Sequence, residues 1–263
     1  MNLDNICKEV IEVAKNAGHF FIEERKKFDS NAIEYKGKND LVSYVDKKTE
    51  EFLVSELSKI LPQASFITEE GTVAQNRSDL FWLIDPLDGT TNFIHNVPMY
   101  CTSIALVQNM KVVLGVIYDP NKDECFHAVL GGGAYCNENK ISVSTNKTLS
   151  TSLFATGFPY TTFDKIQNYL NIVHDLMLES HGLRRTGSAA IDMAWVACGR
   201  FDGYFEYNIK PYDIAAGSII LQEAGGKVTD FAGTDDFLFA YQIVAAGKNH
   251  DELLKIVDKN WNK

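Results

Sequence analysis

In Trp82-Leu83-Ile84-Asp85-Pro86-Leu87-Asp88-Gly89-Thr90-Thr91-Asn92-Phe93 an apolar run delivers two carboxylates, three residues apart, into a turn. Pro86 stiffens that turn, so Asp85 and Asp88 can face one point while the Leu87 carbonyl stays free to join them. Oxygen donors of this kind select a hard cation such as Mg2+ over a softer metal. Gly89 permits close backbone approach, and a helical turn starting at Thr90 or Thr91 would aim free N–H groups at an anion. Asp-Pro or Asp-Gly alone is usually a solvated turn. The apolar strand before this one and the Thr-Thr-Asn-Phe tail after it set it apart.

Outward from this stretch, short apolar runs with polar turns continue: Leu80–Ile84, Tyr100–Val107, Val112–Tyr118, Cys125–Leu130 and a short one near Ile141–Val143. They predict a largely antiparallel sheet of adjacent hairpins. Gly131-Gly132-Gly133 lacks the Lys-Ser/Thr of a phosphate-binding loop and reads as a turn. Upstream, Leu3, Ile6, Val10, Val13, Ala17 and Phe21 recur at helical spacing, as do Val45, Thr49, Phe52, Leu53, Leu57 and Ile60 before Pro62. The polar segment 29–40 between these helices reads as a loop, and Ile33–Lys38 as a flap that would respond to metal.

After about residue 146 the order alternates: strand Leu153–Thr156, helices Asp164–Glu179 and Ser188–Cys198, strand Gly203–Glu206, helix Ile214–Ala224, and strands near Val228 and Val244. The fold class expected is therefore α/β, an α+β half over residues 1–145 followed by an α/β half over 146–263.

Composition narrows the function. With 45% hydrophobic and 23% charged residues the chain is globular. A net charge of −10, with no basic run longer than Arg25-Lys26-Lys27, makes nucleic acid an unfavourable partner. An acidic protein that handles an anionic substrate needs local positive charge, which bound cations supply. Five scattered cysteines without Cys-x-x-Cys argue against a disulfide framework or zinc, and the six histidines never pair at zinc spacing. No run approaches the ~20 apolar residues of a membrane span, and the N-terminus lacks a secretory pattern. A cytoplasmic protein without membrane contact is expected.

Two more acidic sites stand apart in sequence, Thr68-Glu69-Glu70-Gly71 and Pro211-Tyr212-Asp213 before a helix beginning Ile214-Ala215-Ala216-Gly217. Asp213 fits a helix N-cap as well as a metal ligand. Glu69 and Glu70 fit surface charge equally.

Taken together, Glu69-Glu70, the string from Asp85 to Phe93, Gly187-Ser188-Ala189-Ala190 and Tyr212-Asp213-Ile214-Ala215-Ala216-Gly217 resemble, in the same order, the inositol monophosphatase family. The similarity runs from the first helix past Glu223-Ala224-Gly225-Gly226. It implies a layered αβαβα sandwich of the inositol monophosphatase and fructose-1,6-bisphosphatase type, Mg2+ dependence with Li+ sensitivity, a small phosphorylated polyol or sugar as substrate, and a homodimer. Carried over residue by residue, it makes Glu69, Asp85 and the Leu87 carbonyl ligands of a first metal, and Asp85, Asp88 and Asp213 ligands of a second. A third, weaker ion would share Glu69.

By the same resemblance Asp46 and Thr90 activate water, although Asp46 also fits a helix N-cap. Gly89 and Thr90 hold phosphate through their N–H groups, and Ala189 and Glu206, with Asp88 and Asp213, meet the substrate. The chain departs from the family pattern at Thr68, Ser188 and Tyr212, where Gly, Thr and Trp are common. None of these removes a carboxylate, so the departures bear on pocket shape. Fructose 1,6-bisphosphate and 3′-phosphoadenosine 5′-phosphate are alternative substrates, with Lys210 and Arg184 the nearby cations for a second phosphate. The pair Arg184-Arg185 fits the border of the pocket or a dimer interface equally. From a different class, the chain could serve as a regulatory partner in transcription or RNA processing.

Overall fold

The computed structural model describes residues 1–27, 33–37, 40–161 and 163–262. Helix α1 (Leu3–Lys27) leads into a hairpin, β1 (Ile33–Gly37) and β2 (Asp40–Ser43), and then α2 (Tyr44–Ile60). Next come β3 (Ser65–Thr68), β4 (Leu80–Asp88), the short α3 (Thr90–Ile94), β5 (Cys101–Gln108), β6 (Lys111–Asp119), β7 (Glu124–Val129), β8 (Gly133–Cys136) and β9 (Asn139–Lys140). The chain then runs through β10 (Leu153–Thr156), α4 (Ile166–Glu179), β11 (Gly182–Arg184), α5 (Ala189–Ala197), β12 (Gly203–Tyr207), α6 (Pro211–Glu223), β13 (Lys227–Thr229), β14 (Gln242–Ala246) and α7 (His250–Trp261).

Strands β3 to β9 form one sheet in chain order, antiparallel except for the β3–β4 pair. A second sheet has the order β11-β10-β12-β14-β13, parallel on its β11-β10-β12 side and antiparallel beyond. Side-chain alternation sets the layers. On β4, Trp82 and Ile84 pack with Val10, Val13 and Leu53 of α1 and α2, whereas Phe81 and Leu83 pack with α5 and α6. On β14, Ile243 and Ala245 face that same central layer, while Val244 and Ala246 face Tyr169 of α4 and Leu253 of α7. The result is an αβαβα sandwich.

The central layer is close because its contact residues are small. Gly115 of β6 lies under Ala216 of α6, and a Cβ at Gly115 would sit 2.7 Å from the Ala216 carbonyl oxygen. The run Ile214-Ala215-Ala216-Gly217 thus lets α6 lie flat on the first sheet, with Ala215 and Ala216 fully buried. That approach carries the start of α6 to the end of β4. Since α5 and α6 come from the second half yet are covered by both sheets, we propose residues 1–145 and 146–263 as a division of chain order around one shared core.

Several elements differ from the sequence expectation. The run at Ile141–Val143 is not a strand; Asn139–Lys140 pairs with β8 instead. The segment read as a loop holds β1 and the first residue of β2, which pair as an antiparallel hairpin. Of the expected flap, Ile33–Gly37 is β1, and Lys38 lies outside the described residues. Helix α6 starts at Pro211, so Asp213 sits inside its first turn. The edge strand β11 and helix α7 had no expectation at all. Among the described residues no helix is long and apolar enough to cross a membrane.

Candidate active site

Alternation along β4 makes Asp85 the next residue, after Leu83, on the face toward α5 and α6. There the pairing breaks: Asp85 pairs with Ser103 and Asp88 with Cys101, an irregularity that gives β4 an extra residue. Such a bulge re-aims side chains and tolerates a proline. Asp85 Oδ1 accepts the Leu87 N–H at 3.0 Å, and Thr102 Oγ1 donates to the Pro86 carbonyl at 3.1 Å. Gly89 follows at φ 93°, and a Cβ there would lie 2.7 Å from the Met99 oxygen. Only glycine fits both demands. Helix α3 starts at once, as the sequence suggested.

One cavity is lined by Glu69, Asp85, Leu87, Asp88, Gly89, Thr90, Ala189, Glu206 and Asp213. The remaining sequence candidate, Asp46, is fully buried on α2 behind Thr90. Thr90 Oγ1 lies 2.8 Å from Asp46 Oδ1 and 3.0 Å from the Leu87 oxygen. Among the described residues no histidine lines the cavity.

The carboxylates are crowded, Asp85 and Asp88 buried and Glu69 and Asp213 partly so. Burial, then repulsion from Glu69, Asp88 and Asp213, holds the Asp85 carboxyl well above the usual range; burial and the charges of Glu69 and Asp88 do the same to Asp213. Burial also raises Asp88, opposed by its hydrogen bonds. Those bonds come from far along the chain: Asp88 Oδ2 accepts from Ser188 Oγ at 2.6 Å and Ala190 N at 2.7 Å, at the start of α5. Ser188 also N-caps that helix, its hydroxyl accepting from Ile191 N. Serine at this position therefore keeps the hydroxyl that threonine supplies elsewhere in the pattern. Asp213 accepts the Lys210 N–H at 2.9 Å from within the helical turn, so it is not the N-cap.

Among the described residues no three acidic, histidine or cysteine side chains already close on one ion-sized point. Carboxylates repel until a cation screens them, so the set is gathered in a single cavity and held by separate donors. The donors are all oxygen, and the groups are destabilised as anions by one another. Both features fit a hard dication.

Two residues, Glu50 and Asp192, escaped the sequence reading, and a third, Arg185, was named there only as bordering either the pocket or a dimer interface. Glu50, one helical turn after Asp46 on α2, is a fully buried carboxylate bonded to the 68–72 segment. The (i, i+4) spacing from Asp46 was the available signal. Asp192, buried on α5, accepts the Thr186 hydroxyl at 2.6 Å and lines the cavity. The cavity cation is Arg185, whose Nη2 donates to Tyr160 Oη at 2.9 Å, together with Lys210. Arg184, the expected one, is the last residue of β11, exposed, and donates to the Leu183 carbonyl.

The model of the inositol monophosphatase family matches residues 2–262. The chain belongs to the inositol monophosphatase family. It is 41% identical over 236 residues to the Nus factor SuhB of Escherichia coli K12, covering 89% of this chain and 88% of that one. The solved extragenic suppressor protein suhB of Bartonella henselae superposes with a TM-score of 0.90 at 36% identity, covering 98% of this chain and 99% of that one. The inositol monophosphatase of Anabaena (Nostoc) sp. PCC 7120 superposes with a TM-score of 0.87 at 37% identity, covering 99% and 98%. The layered sandwich is thus that of the family.

Within this family frame, Thr68, at a position where glycine is common, has a local role. Its hydroxyl donates to Glu50 Oε1 at 2.8 Å and accepts from Gln75 Nε2 at 3.0 Å. Tyr212, in the place of a common Trp, receives Ser103 Oγ on its carbonyl at 3.2 Å, a main-chain bond that either side chain permits.

Proposed function

We propose that this protein is a Mg2+-dependent phosphomonoesterase that hydrolyses inositol monophosphate or a similar small polyol or sugar phosphate by direct attack of water. The observation that carries the reading is the gathering of Glu69, Asp85, Asp88 and Asp213 in one cavity of a chain of this family. Glu69, Asp85 and the Leu87 carbonyl would hold one Mg2+, and Asp85, Asp88 and Asp213 another, with Glu69 shared by a weaker third. When bound, Mg2+ supplies neutralisation of the phosphoryl oxygens and a lowered pKa for water.

The chain's own groups do the rest. Thr90, hydrogen-bonded to Asp46, orients the attacking water, and Asp46 takes the proton through that hydroxyl. The N–H groups of Gly89 and Thr90 meet the phosphate. Glu206 and the Ala189 backbone meet substrate hydroxyls. Glu206 is suited to that: burial pushes its carboxyl up to about 7, and the Tyr204 hydroxyl donates to it. Asp85 is no nucleophile, since a carboxylate committed to cations attacks poorly. Li+ sensitivity, a homodimer and a cytoplasmic site of action complete the proposal.

The test is phosphate release from inositol 1-phosphate, fructose 1,6-bisphosphate, 3′-phosphoadenosine 5′-phosphate and NADP, each with Mg2+, EDTA or added Li+. EDTA-sensitive, Li+-inhibited turnover favouring inositol 1-phosphate supports the proposal. Preference for either bisphosphate moves the substrate assignment, with Arg185 and Lys210 the cations to examine. Inert substrates throughout would sink it.

A second reading has its own support, since several relatives at 40–41% identity carry the name Nus factor SuhB. On that reading the chain is a regulatory partner in transcription, and a net charge of −10 favours a protein over nucleic acid as the contact. An Asp213→Asn variant that keeps the cellular effect while losing turnover would support it.

A further inference from the structure

Glu50 lies on α2, fully buried, and its carboxylate accepts four hydrogen bonds from one short segment. Oε1 takes the Thr68 hydroxyl at 2.8 Å, the Thr72 hydroxyl at 2.7 Å and the Thr72 N–H at 2.7 Å. Oε2 takes the Glu70 N–H at 2.7 Å. Hydrogen bonds to a buried charged acceptor are the strong ones, and leaving such donors unpaired is costly. The segment they fix carries Glu69, whose own N–H donates to the Ile84 carbonyl at 3.2 Å and whose carboxyl meets Asp85.

The same helix presents Asp46 one turn earlier, bonded to Thr90. A single helix therefore holds both the segment that carries Glu69 and the Asp46–Thr90 pair. Gly71, at φ 66°, lets the segment fold back so that N–H groups on both sides of it converge on Glu50.

We infer that Glu50 is a positioning residue: its buried carboxylate clamps residues 68–72 to α2 and thereby fixes Glu69 relative to the Asp46–Thr90 pair. The inference rests on the proposed metal role of Glu69. It acts through Glu69 and touches neither substrate nor reacting atoms. Partners that orient a metal's ligands typically change its affinity about 10- to 100-fold when removed.

The experiment is Mg2+ titration calorimetry on the full chain, alongside amide hydrogen exchange and steady-state kinetics, for wild type, Glu50→Gln and Thr72→Val. Glutamine keeps the shape and one acceptor oxygen but turns an NH2 toward donors that need an acceptor. In E50Q the Glu70 and Thr72 amides should exchange faster, Mg2+ affinity should fall about tenfold or more, and kcat should fall with substrate KM within about twofold. Exposed Thr72 gives a variant that folds safely; T72V should move Mg2+ affinity the same way by a few-fold.

Wild-type Mg2+ affinity in E50Q, or a loss explained wholly by a smaller folded fraction, overturns the inference. If E50Q does not fold, T72V decides, and unchanged Mg2+ affinity there overturns it. Wild-type protein that takes up no Mg2+ overturns the function reading and this inference with it, whereas uptake by wild type that is unchanged in both variants overturns this inference alone.

Discussion

Thr90 Oγ1 and Asp46 Oδ1 stand 2.8 Å apart although 44 positions separate the residues, so α3 and α2 meet through one hydroxyl proton. That proton is also 3.0 Å from the Leu87 carbonyl, and it can serve only one acceptor at a time. Thr90→Val removes it with little change of volume, and turnover should fall about 10²- to 10⁴-fold, the usual worth of general acid–base assistance, with KM nearly unchanged. Asp46→Asn still accepts the hydroxyl but cannot take a proton. Steady-state kinetics in which D46N turns over normally would reduce Asp46 to a structural anchor.

Asp213→Asn keeps an oxygen for the Lys210 N–H and removes one of the repelling charges. Phosphatase kcat/KM should drop about 10³-fold, roughly 4 kcal/mol of transition-state stabilisation. In EDTA the variant should melt above wild type, because a carboxyl raised by burial and neighbouring charge no longer has to be accommodated. Wild type should gain about 2.7 kcal/mol at a Mg2+ concentration 100 times its Kd, and D213N much less. Melting curves with and without Mg2+ check both parts.

Glu206 supplies a pH dependence. Its folded value is about 7 against an ordinary 4.5, so between those pH values the unfolded chain has lost a proton that the folded protein keeps. Stability from this group therefore falls as pH rises through that window, by about 3 kcal/mol at most, and levels off above it. Glu206→Gln removes the loss. Urea unfolding in EDTA should find E206Q stabilised relative to wild type at pH 8 and not at pH 4; an equal difference at both would contradict the burial argument.

Gly89→Ala should be damaging out of proportion to its size. The left-handed backbone costs a non-glycine residue about 1–3 kcal/mol, and the new Cβ meets the Met99 oxygen at 2.7 Å. Thermal unfolding should register the strain. Phosphate release should fall more than tenfold, since the turn between Asp88 and Thr90 must shift.

Much of the fold was legible because it is local. Short apolar runs bounded by polar turns marked β4, β5, β6 and β7, and helical spacing marked α1, α2, α4 and α5. The misses have physical causes too. Strands β1, β2 and β11 are only three to five residues long, too short to impose a period. Helix α6 was started late because Asp213 was read as a possible N-cap; Pro211, which at a first turn gives up only an N–H that has no partner there, was the start signal passed over.

The sequence by itself determined the Asp85-Pro86-Leu87-Asp88-Gly89 turn, the order of the acidic segments and the small-residue face of α6, since backbone preference and side-chain period act over a few residues. Tertiary packing alone decided that Asp88 is gripped by Ser188 and Ala190, that Glu50 rather than a surface charge holds the Glu69 segment, and that Arg185 instead of Arg184 enters the cavity. Those contacts join residues tens to a hundred positions apart. The grip on Asp88 follows from how closely α5 settles between two sheets and the Glu50 contacts from how α2 packs on the outer face of the first, distances that no local pattern encodes.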